Sequence, residues 1–146
     1  MPNIKQIKKE ILRYFAAAAE EARQIRECSS PELDHIHTHL RRYILNKYML
    51  SSDSVSSDNI QDLIDASLAQ TMKVDPSLVA ELDAARSCAG ATSAMVKKAL
   101  LFQAMERELE IDLPADKAIN ALTIRDLADI VLNCMLQKTK DIANYQ

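Results

Sequence analysis

The sequence predicts an all-α protein, and three observations support this prediction. The chain has 146 residues, of which 48% are apolar, so it is long enough to bury a core. It contains one glycine, four prolines and no tryptophan, a composition poor in the turn residues of all-β folds. Its apolar residues recur mainly at steps of three and four, which place them on one face of a helix.

Residues 1–50 are predicted to form an N-terminal helical hairpin. Apolar residues repeat from Ile4 to Ile25, which predicts a long first helix. Ser30 is expected to cap a second helix, with Pro31 at its first position. The buried face of this second helix is predicted to contain Leu33, Ile36, Leu40, Ile44 and Met49. Two helices cannot shield their apolar faces alone, so the hairpin is expected to extend the core or to contact a partner.

Residues 51–57 are predicted to form a polar linker, because this run contains a single apolar residue. A second helical unit is expected at 58–138, followed by a C-terminal tail at 139–146. Asp58 or Asn59 can cap the first helix of this unit. The linker is therefore the predicted domain boundary.

Three helical stretches are predicted within the second unit. The first covers residues 60–72, and residues 73–86 follow without a clear period, which indicates a long loop. The next stretch opens near Thr92, and the last begins at Thr123. The apolar stripe of the middle stretch is predicted to contain Met95, Ala99, Phe102, Met105 and Leu109.

The charges and aromatic residues argue against a nucleic-acid partner. The chain has 18 basic and 21 acidic residues, for a net charge of −3, and only 4% of its residues are aromatic. Nucleic-acid binding relies on clustered lysine and arginine and on aromatic stacking. No run of eighteen apolar residues occurs, so we also expect no membrane span and a soluble protein.

The cysteines indicate a reducing compartment. Cys28, Cys88 and Cys134 are odd in number, widely spaced and without a Cys-x-x-Cys motif, so a disulfide framework is not expected. We interpret them as small packing residues in a cytoplasmic protein.

Three histidines raise the question of a metal site. On a helix, His35 and His39 share one face while His37 does not, and no carboxylate motif accompanies them. A solvated helix face is therefore preferred to a metal site.

Five residues of the second unit keep a distinctive spacing. Ser93 follows Val74 by nineteen residues, and the only glycine, Gly90, lies three residues before Ser93. Pro114 ends the run Glu-Ile-Asp-Leu-Pro, and Thr123 opens the run Thr-Ile-Arg-Asp-Leu. In these positions the chain resembles the acyl carrier protein family, whose modified serine follows a valine and a glycine at the same separations.

The resemblance covers residues 58–138 and implies a four-helix carrier bundle. It implies a 4'-phosphopantetheine joined covalently to Ser93 by a phosphopantetheinyl transferase that uses coenzyme A. The thiol of this group would hold an acyl intermediate of fatty-acid, polyketide or related biosynthesis as a thioester. Acyl-transferring or condensing enzymes would be the partners, so the protein itself would be a carrier and not an enzyme.

The chain departs from the family pattern at several positions. Thr-Ser-Ala at 92–94 replaces Asp-Ser-Leu, and the interval from Ser93 to Pro114 is two residues longer than usual. Lys97 and Lys98 stand where carriers display acidic residues to partner enzymes. These differences favour a dedicated partner over a generic fatty-acid synthase.

Several alternatives stay open. Ser93 can be an unmodified helix-capping residue in a degenerate carrier-like fold that acts as a protein interaction module. Counting back from Pro114 makes Met95 a second candidate for the start of the helix. Thr92 is a candidate cap of the same helix. A homodimer through the N-terminal helices is a further alternative. An enzyme is disfavoured because no base, nucleophile and oxyanion site come together in the sequence.

Overall fold

The computed structural model describes residues 3–73 and 92–144, in which all the helices are α-helices and no strand occurs. The all-α prediction is therefore confirmed. The helices are α1 (Ile4–Arg26), α2 (Leu33–Lys47), α3 (Ile60–Met72), α4 (Ser93–Leu109), α5 (Ala115–Asn120) and α6 (Ile124–Asn144). Most of the loop predicted at 73–86 lies outside the described residues, as do Val74, Cys88 and Gly90.

All six helices contribute to one cluster of buried apolar side chains within the described ranges. The hairpin supplies Ile25 and Ile44, and the later helices supply Ile64, Met105 and Leu127, each fully buried. The predicted division of the chain at residues 51–57 stays a prediction.

The two hairpin helices pack against each other along the C-terminal half of α1. Ala18 and Ala22 are buried there, and such small side chains let two helix backbones approach closely. The N-terminus of α1 is closed by a capping box, in which the Asn3 side chain accepts from the Gln6 amide at 2.9 Å.

The predicted start of α2 is wrong by two residues. Glu32, not Ser30, occupies the cap position, because the first helical hydrogen bond runs from the Ile36 amide to the Glu32 carbonyl at 3.0 Å. Ile36 is buried as predicted. Met49 is only half-buried, since it lies beyond the end of α2 in a left-handed conformation with φ of 53°.

The polar segment 51–57 is bound to α2. The Arg41 guanidinium donates to the Val55 and Ser57 carbonyls, both at 2.6 Å. Val55 also packs against the apolar cluster.

The starts of α3 and α6 lie side by side. Asn59 caps α3 by accepting from the amides of Gln61 and Asp62, which confirms one of the two predicted caps. Asn59 also forms an isolated antiparallel bridge with Thr123, the residue before α6. This bridge places the starts of the two helices next to each other.

Periodicity suggested only a short connection where the structure has the helix α5, whereas the resemblance to carriers implied a fourth helix in this unit. Helix α5 begins directly after Pro114, and its Ala118 is buried. In the described ranges no helix is both long enough and apolar enough to cross a membrane.

Candidate functional site

Ser93 is the first residue of α4, as the resemblance implied for the carrier serine. Thr92 is the cap residue, and its side-chain oxygen accepts a hydrogen bond from the Met95 amide at 3.1 Å. The predicted role of Thr92 as a cap is thus confirmed, while Met95 is the third helical residue and not the first. Ser93 is exposed to solvent.

The environment of Ser93 is compatible with a negatively charged group. The N-terminus of a helix carries partial positive charge, which favours anions such as phosphate. The first turn of α4 contains no acidic residue that would oppose this effect. A phosphodiester on Ser93 would therefore be electrostatically stabilised.

A cleft of about 780 Å³ lies between α3, α4 and α5, and it is lined by Thr92 and Ala94, the two neighbours of Ser93, but not by Ser93 itself. This volume lies within the range of about 300–1,000 Å³ that is typical of small-molecule sites. Most of the lining side chains are apolar, with a few polar groups from α3 and α4 at the edges. The lining consists of Gln61, Asp65, Thr92, Ala94, Met95, Lys98, Ala99, Phe102, Glu106, Leu113, Ala115, Ala118 and Ile119.

The cleft follows α4 for most of the length of that helix. Its lining residues extend from Thr92 to Glu106, which corresponds to about 20 Å along the helix axis at 1.5 Å per residue. An elongated apolar group attached near Ser93 can therefore lie along α4 within the cleft.

The prediction that Met95 belongs to the core is wrong. Met105 and Leu109 are buried as predicted, whereas Met95 is 59% exposed and Phe102 is half-buried. Met95 and Phe102 both line the cleft. The apolar stripe of α4 therefore lines the cleft near the N-terminus of the helix and belongs to the core near its C-terminus.

Lys97 and Lys98 both contact other parts of the protein. The Lys97 ammonium lies 5.0 Å from the ring centroid of Tyr48, and burial lowers the pKa of Lys97. The Lys98 ammonium donates to the Ile119 carbonyl at 3.2 Å and so joins α4 to α5.

The outer surface of α4 next to Ser93 is apolar. Val96 and Leu100, which do not line the cleft, are about half exposed, and Met95 at the edge of the cleft is 59% exposed. Neither acidic side chains nor the two lysines dominate this surface, so a partner that reaches Ser93 would meet mainly apolar groups.

The interpretation of the histidines as a solvated face is wrong. His37 Nε2 lies 2.7 Å from an Asp58 carboxylate oxygen, and His39 Nδ1 lies 2.6 Å from a Glu21 carboxylate oxygen. The rings of His35 and His39 pack edge to face at 4.4 Å. All three are half-buried because α2 packs between α1 and α6. In residues 3–73 and 92–144, no group of three His, Cys, Asp or Glu residues is arranged to hold a metal ion.

Cys28 and Cys134 are free thiols and are half-buried. The Cys134 thiol donates to the Asp112 carbonyl at 3.4 Å. Burial, together with the nearby Asp112 carboxylate, raises the pKa of this thiol, which keeps it protonated and poorly nucleophilic.

Glu108 of α4 joins α1 and α2 through polar contacts that the sequence analysis did not predict. Its carboxylate accepts from the buried Tyr43 hydroxyl and pairs with Lys47 at 3.0 Å. Its main-chain carbonyl accepts from Arg26 at 2.9 Å. Glu108 lies 65 residues from Tyr43 in sequence, and no local pattern signals a pair so far apart.

No protein-family model matches this chain, and no curated protein or solved structure matches it significantly. Its function must therefore be argued from the site itself.

Proposed function

We propose that the protein is an acyl carrier that bears 4'-phosphopantetheine on Ser93. When bound, this group supplies a terminal thiol that holds an acyl chain as a thioester. The observation that carries the proposal is an exposed serine at the start of α4, beside a mainly apolar cleft of about 780 Å³.

The position of Ser93 suits attachment of a phosphodiester. Exposure makes the residue accessible to a transferase, and the helix N-terminus stabilises the negative charge that the reaction leaves there. In the modified protein the serine is only the point of attachment. It performs no catalysis there and therefore needs no neighbouring base.

The cleft gives an attached chain a place to lie. Its Thr92–Met95 end adjoins Ser93, and the apolar side chains of Phe102 and Leu113 lie further in. Burial of methylene groups among such side chains is favourable by about 0.8 kcal/mol each. The cleft would thus shield a bound acyl group from water.

The order of elements also supports the proposal. Helices α3, α4, α5 and α6 follow one another as a four-helix set, with the candidate serine at the head of the second. This is the arrangement that the resemblance to acyl carrier proteins implies.

The apolar outer surface of α4 indicates the kind of partner. A phosphopantetheinyl transferase or an acyl-transferring or condensing enzyme that approaches Ser93 along α4 would meet Met95, Val96 and Leu100. We expect these partners to present an apolar patch, in contrast to the basic patch that recognises an acidic carrier.

Intact mass tests the proposal. The protein is incubated with coenzyme A, Mg²⁺ and a broad-specificity phosphopantetheinyl transferase, and we expect the mass to increase by one phosphopantetheine. Ser93→Ala should abolish this increase, whereas Ser56→Ala, which alters another exposed serine, should retain it. A gain in mass that survives in Ser93→Ala would contradict the assignment of the site.

One observation favours a second candidate, an unmodified carrier-like fold that acts as an interaction module. Thr92 uses its side chain to cap α4 and leaves no carboxylate directly before Ser93 for a metal-assisted transferase. The Thr92→Asp variant separates the two functions. Modification of Thr92→Asp but not of the natural chain would support the interaction module.

A further inference from the structure

The first three turns of α1 present an exposed apolar face. Ile4, Ile7, Leu12 and Phe15 are between 44% and 71% exposed. The buried residues of α1 begin only at Ala18. We call residues 4–15 the α1 tip.

The tip is exposed because α1 extends past its partner in the hairpin. His39 contacts Glu21 and the Lys47 ammonium lies 5.5 Å from the ring of Phe15, so the end of α2 lies opposite Phe15. Residues 4–12 of α1 therefore project roughly 13 Å beyond α2, at 1.5 Å per residue.

The tip is also basic, in contrast to the rest of the chain. It contains four basic residues and one acidic residue, which gives a charge of +3. Because the whole chain carries −3, the remainder carries −6. Glu10 is 3.8 Å from Arg13, whereas Lys5, Lys8 and Lys9 form no ion pair with the described residues.

Lysines lie within and beside the tip's apolar face. At about 100° per residue, Ile4, Ile7, Ile11 and Phe15 lie within an arc of roughly 80° of the helix circumference, and Lys8 lies between this arc and Leu12. Lys5 and Lys9 follow directly beyond the Leu12 edge. An apolar face with lysines along its edge is typical of helices that lie in a membrane interface, where the lysine side chains extend toward the headgroups.

We propose that the α1 tip docks on the surface of an anionic lipid bilayer. The apolar face enters the boundary between headgroups and acyl chains, and the lysines contact the anionic headgroups. The acidic remainder of the protein is held away from the bilayer by charge repulsion. This docking is independent of whether Ser93 carries a prosthetic group.

Charge argues against a symmetric pairing of the tips of two copies. A symmetric contact between two tips would bring two surfaces of +3 together, which is unfavourable at close range. An acidic protein surface would satisfy the same charge, and it is the occupant that a lack of vesicle binding would favour.

Vesicle co-sedimentation of the full-length protein tests the proposal. One set of vesicles contains phosphatidylcholine alone, and the other contains phosphatidylcholine and phosphatidylglycerol at about 3:1. We expect strong binding to the anionic vesicles, at least tenfold weaker binding to the neutral ones, and release as salt is raised and the charges are screened.

Two variants of the tip should weaken binding to the anionic vesicles. Removing three charges in Lys5→Gln/Lys8→Gln/Lys9→Gln should lower the partition coefficient about a hundred-fold. Ile4→Ser/Ile7→Ser should lower it at least tenfold. The matched control Leu136→Ser/Ile142→Ser alters two exposed apolar residues of α6 and should bind as the natural protein does. Circular dichroism verifies that each variant is folded.

Three results would overturn the proposal. They are no binding to anionic vesicles, equal binding to both kinds of vesicle, and tip variants that bind as well as the control. Self-association that Ile4→Ser/Ile7→Ser abolishes, measured by analytical ultracentrifugation without vesicles, would instead assign the tip to a second copy.

Discussion

At the scale of single residues, Tyr43 and Tyr48 form an informative pair. Both side chains are buried near the C-terminal end of α2, but only the Tyr43 hydroxyl has a polar partner, the Glu108 carboxylate. The Tyr48 hydroxyl is buried without a hydrogen-bond partner in the described part of the chain. A buried polar group without a partner costs free energy that a bonded one does not.

The two tyrosines should therefore respond in opposite ways to removal of the hydroxyl. Tyr43→Phe is expected to lower the free energy of unfolding by about 1–2 kcal/mol, since it leaves Glu108 without one donor. Tyr48→Phe is expected to leave it unchanged or raise it by about 1 kcal/mol. Urea unfolding of the two variants measures the difference, and equal destabilisation by both would show that Tyr48 has a partner.

The same tyrosines make stability depend on alkaline pH. Burial raises the pKa of both phenols, and for Tyr43 the Glu108 carboxylate adds to the effect. A raised pKa means that the folded protein holds the proton more tightly than the unfolded chain. The two protonated tyrosines therefore contribute fully to the free energy of unfolding below pH 10, and this contribution is lost as pH rises above that value.

We expect the free energy of unfolding to fall above pH 10 by about 1.4 kcal/mol per pH unit for each tyrosine. Urea titrations between pH 9 and pH 11 should show a shallower fall in Tyr43→Phe/Tyr48→Phe. A fall of equal steepness in both proteins would assign the alkaline effect to other groups.

At the scale of helices, the site depends on how α3, α4 and α5 enclose the cleft. Ala99 lines the cleft and is exposed, so a larger side chain at this position can fill the cleft without disturbing the core. This makes Ala99 a suitable position for testing whether the cleft shelters a bound acyl chain.

Ala99→Phe should expose the acyl group of the loaded protein. We expect hydroxylamine to cleave the thioester of an octanoyl-loaded Ala99→Phe protein several times faster than that of the natural protein. Ala143→Phe introduces the same side chain at an exposed position of α6 outside the cleft and serves as the control. Identical rates in all three proteins would argue that the chain does not enter the cleft.

Local patterns predicted the helices well but not the contacts between them. Within the predicted α2 stripe, Ile36, Leu40 and Ile44 are buried, and the predicted Asn59 cap of α3 is present, whereas the predicted α2 cap at Ser30 was wrong. Asp58 shows the limit. Its carboxylate contacts His37 and accepts from the Arg125 amide, 21 and 67 residues away, and such pairs follow only from the packed fold.

The candidate site shows the same division. The position of Ser93 at the start of α4 followed from spacing and from the resemblance to carriers. The cleft did not follow, because Met95 and Phe102 share the period of the core residues Met105 and Leu109. Only the packed fold shows which residues of this stripe line the cleft and which belong to the core.

At the scale of the whole molecule, the hairpin supplies a large part of the common core. Ile36, Leu40, Tyr43 and Ile44 of α2 are all fully buried, and α2 packs directly against α6. A fragment without the hairpin would expose the apolar side chains that these residues cover.

We therefore expect residues 51–146 produced alone to unfold without a sharp transition and to bind the dye anilinonaphthalene sulfonate. Exposed apolar surface and loss of fixed packing have these two effects. Thermal unfolding of the fragment and of the full chain measures the difference. A cooperative transition at the same temperature in both would instead establish 58–138 as an independent domain.

The most direct test of acyl carriage is mass spectrometry of the protein isolated from its own source and digested into peptides. We expect the peptide that contains Ser93 to carry the mass of 4'-phosphopantetheine, with or without an acyl group, and to release it on fragmentation. The same peptide found entirely unmodified, in protein that a transferase and coenzyme A also leave unchanged, would contradict the carrier function and leave the interaction module.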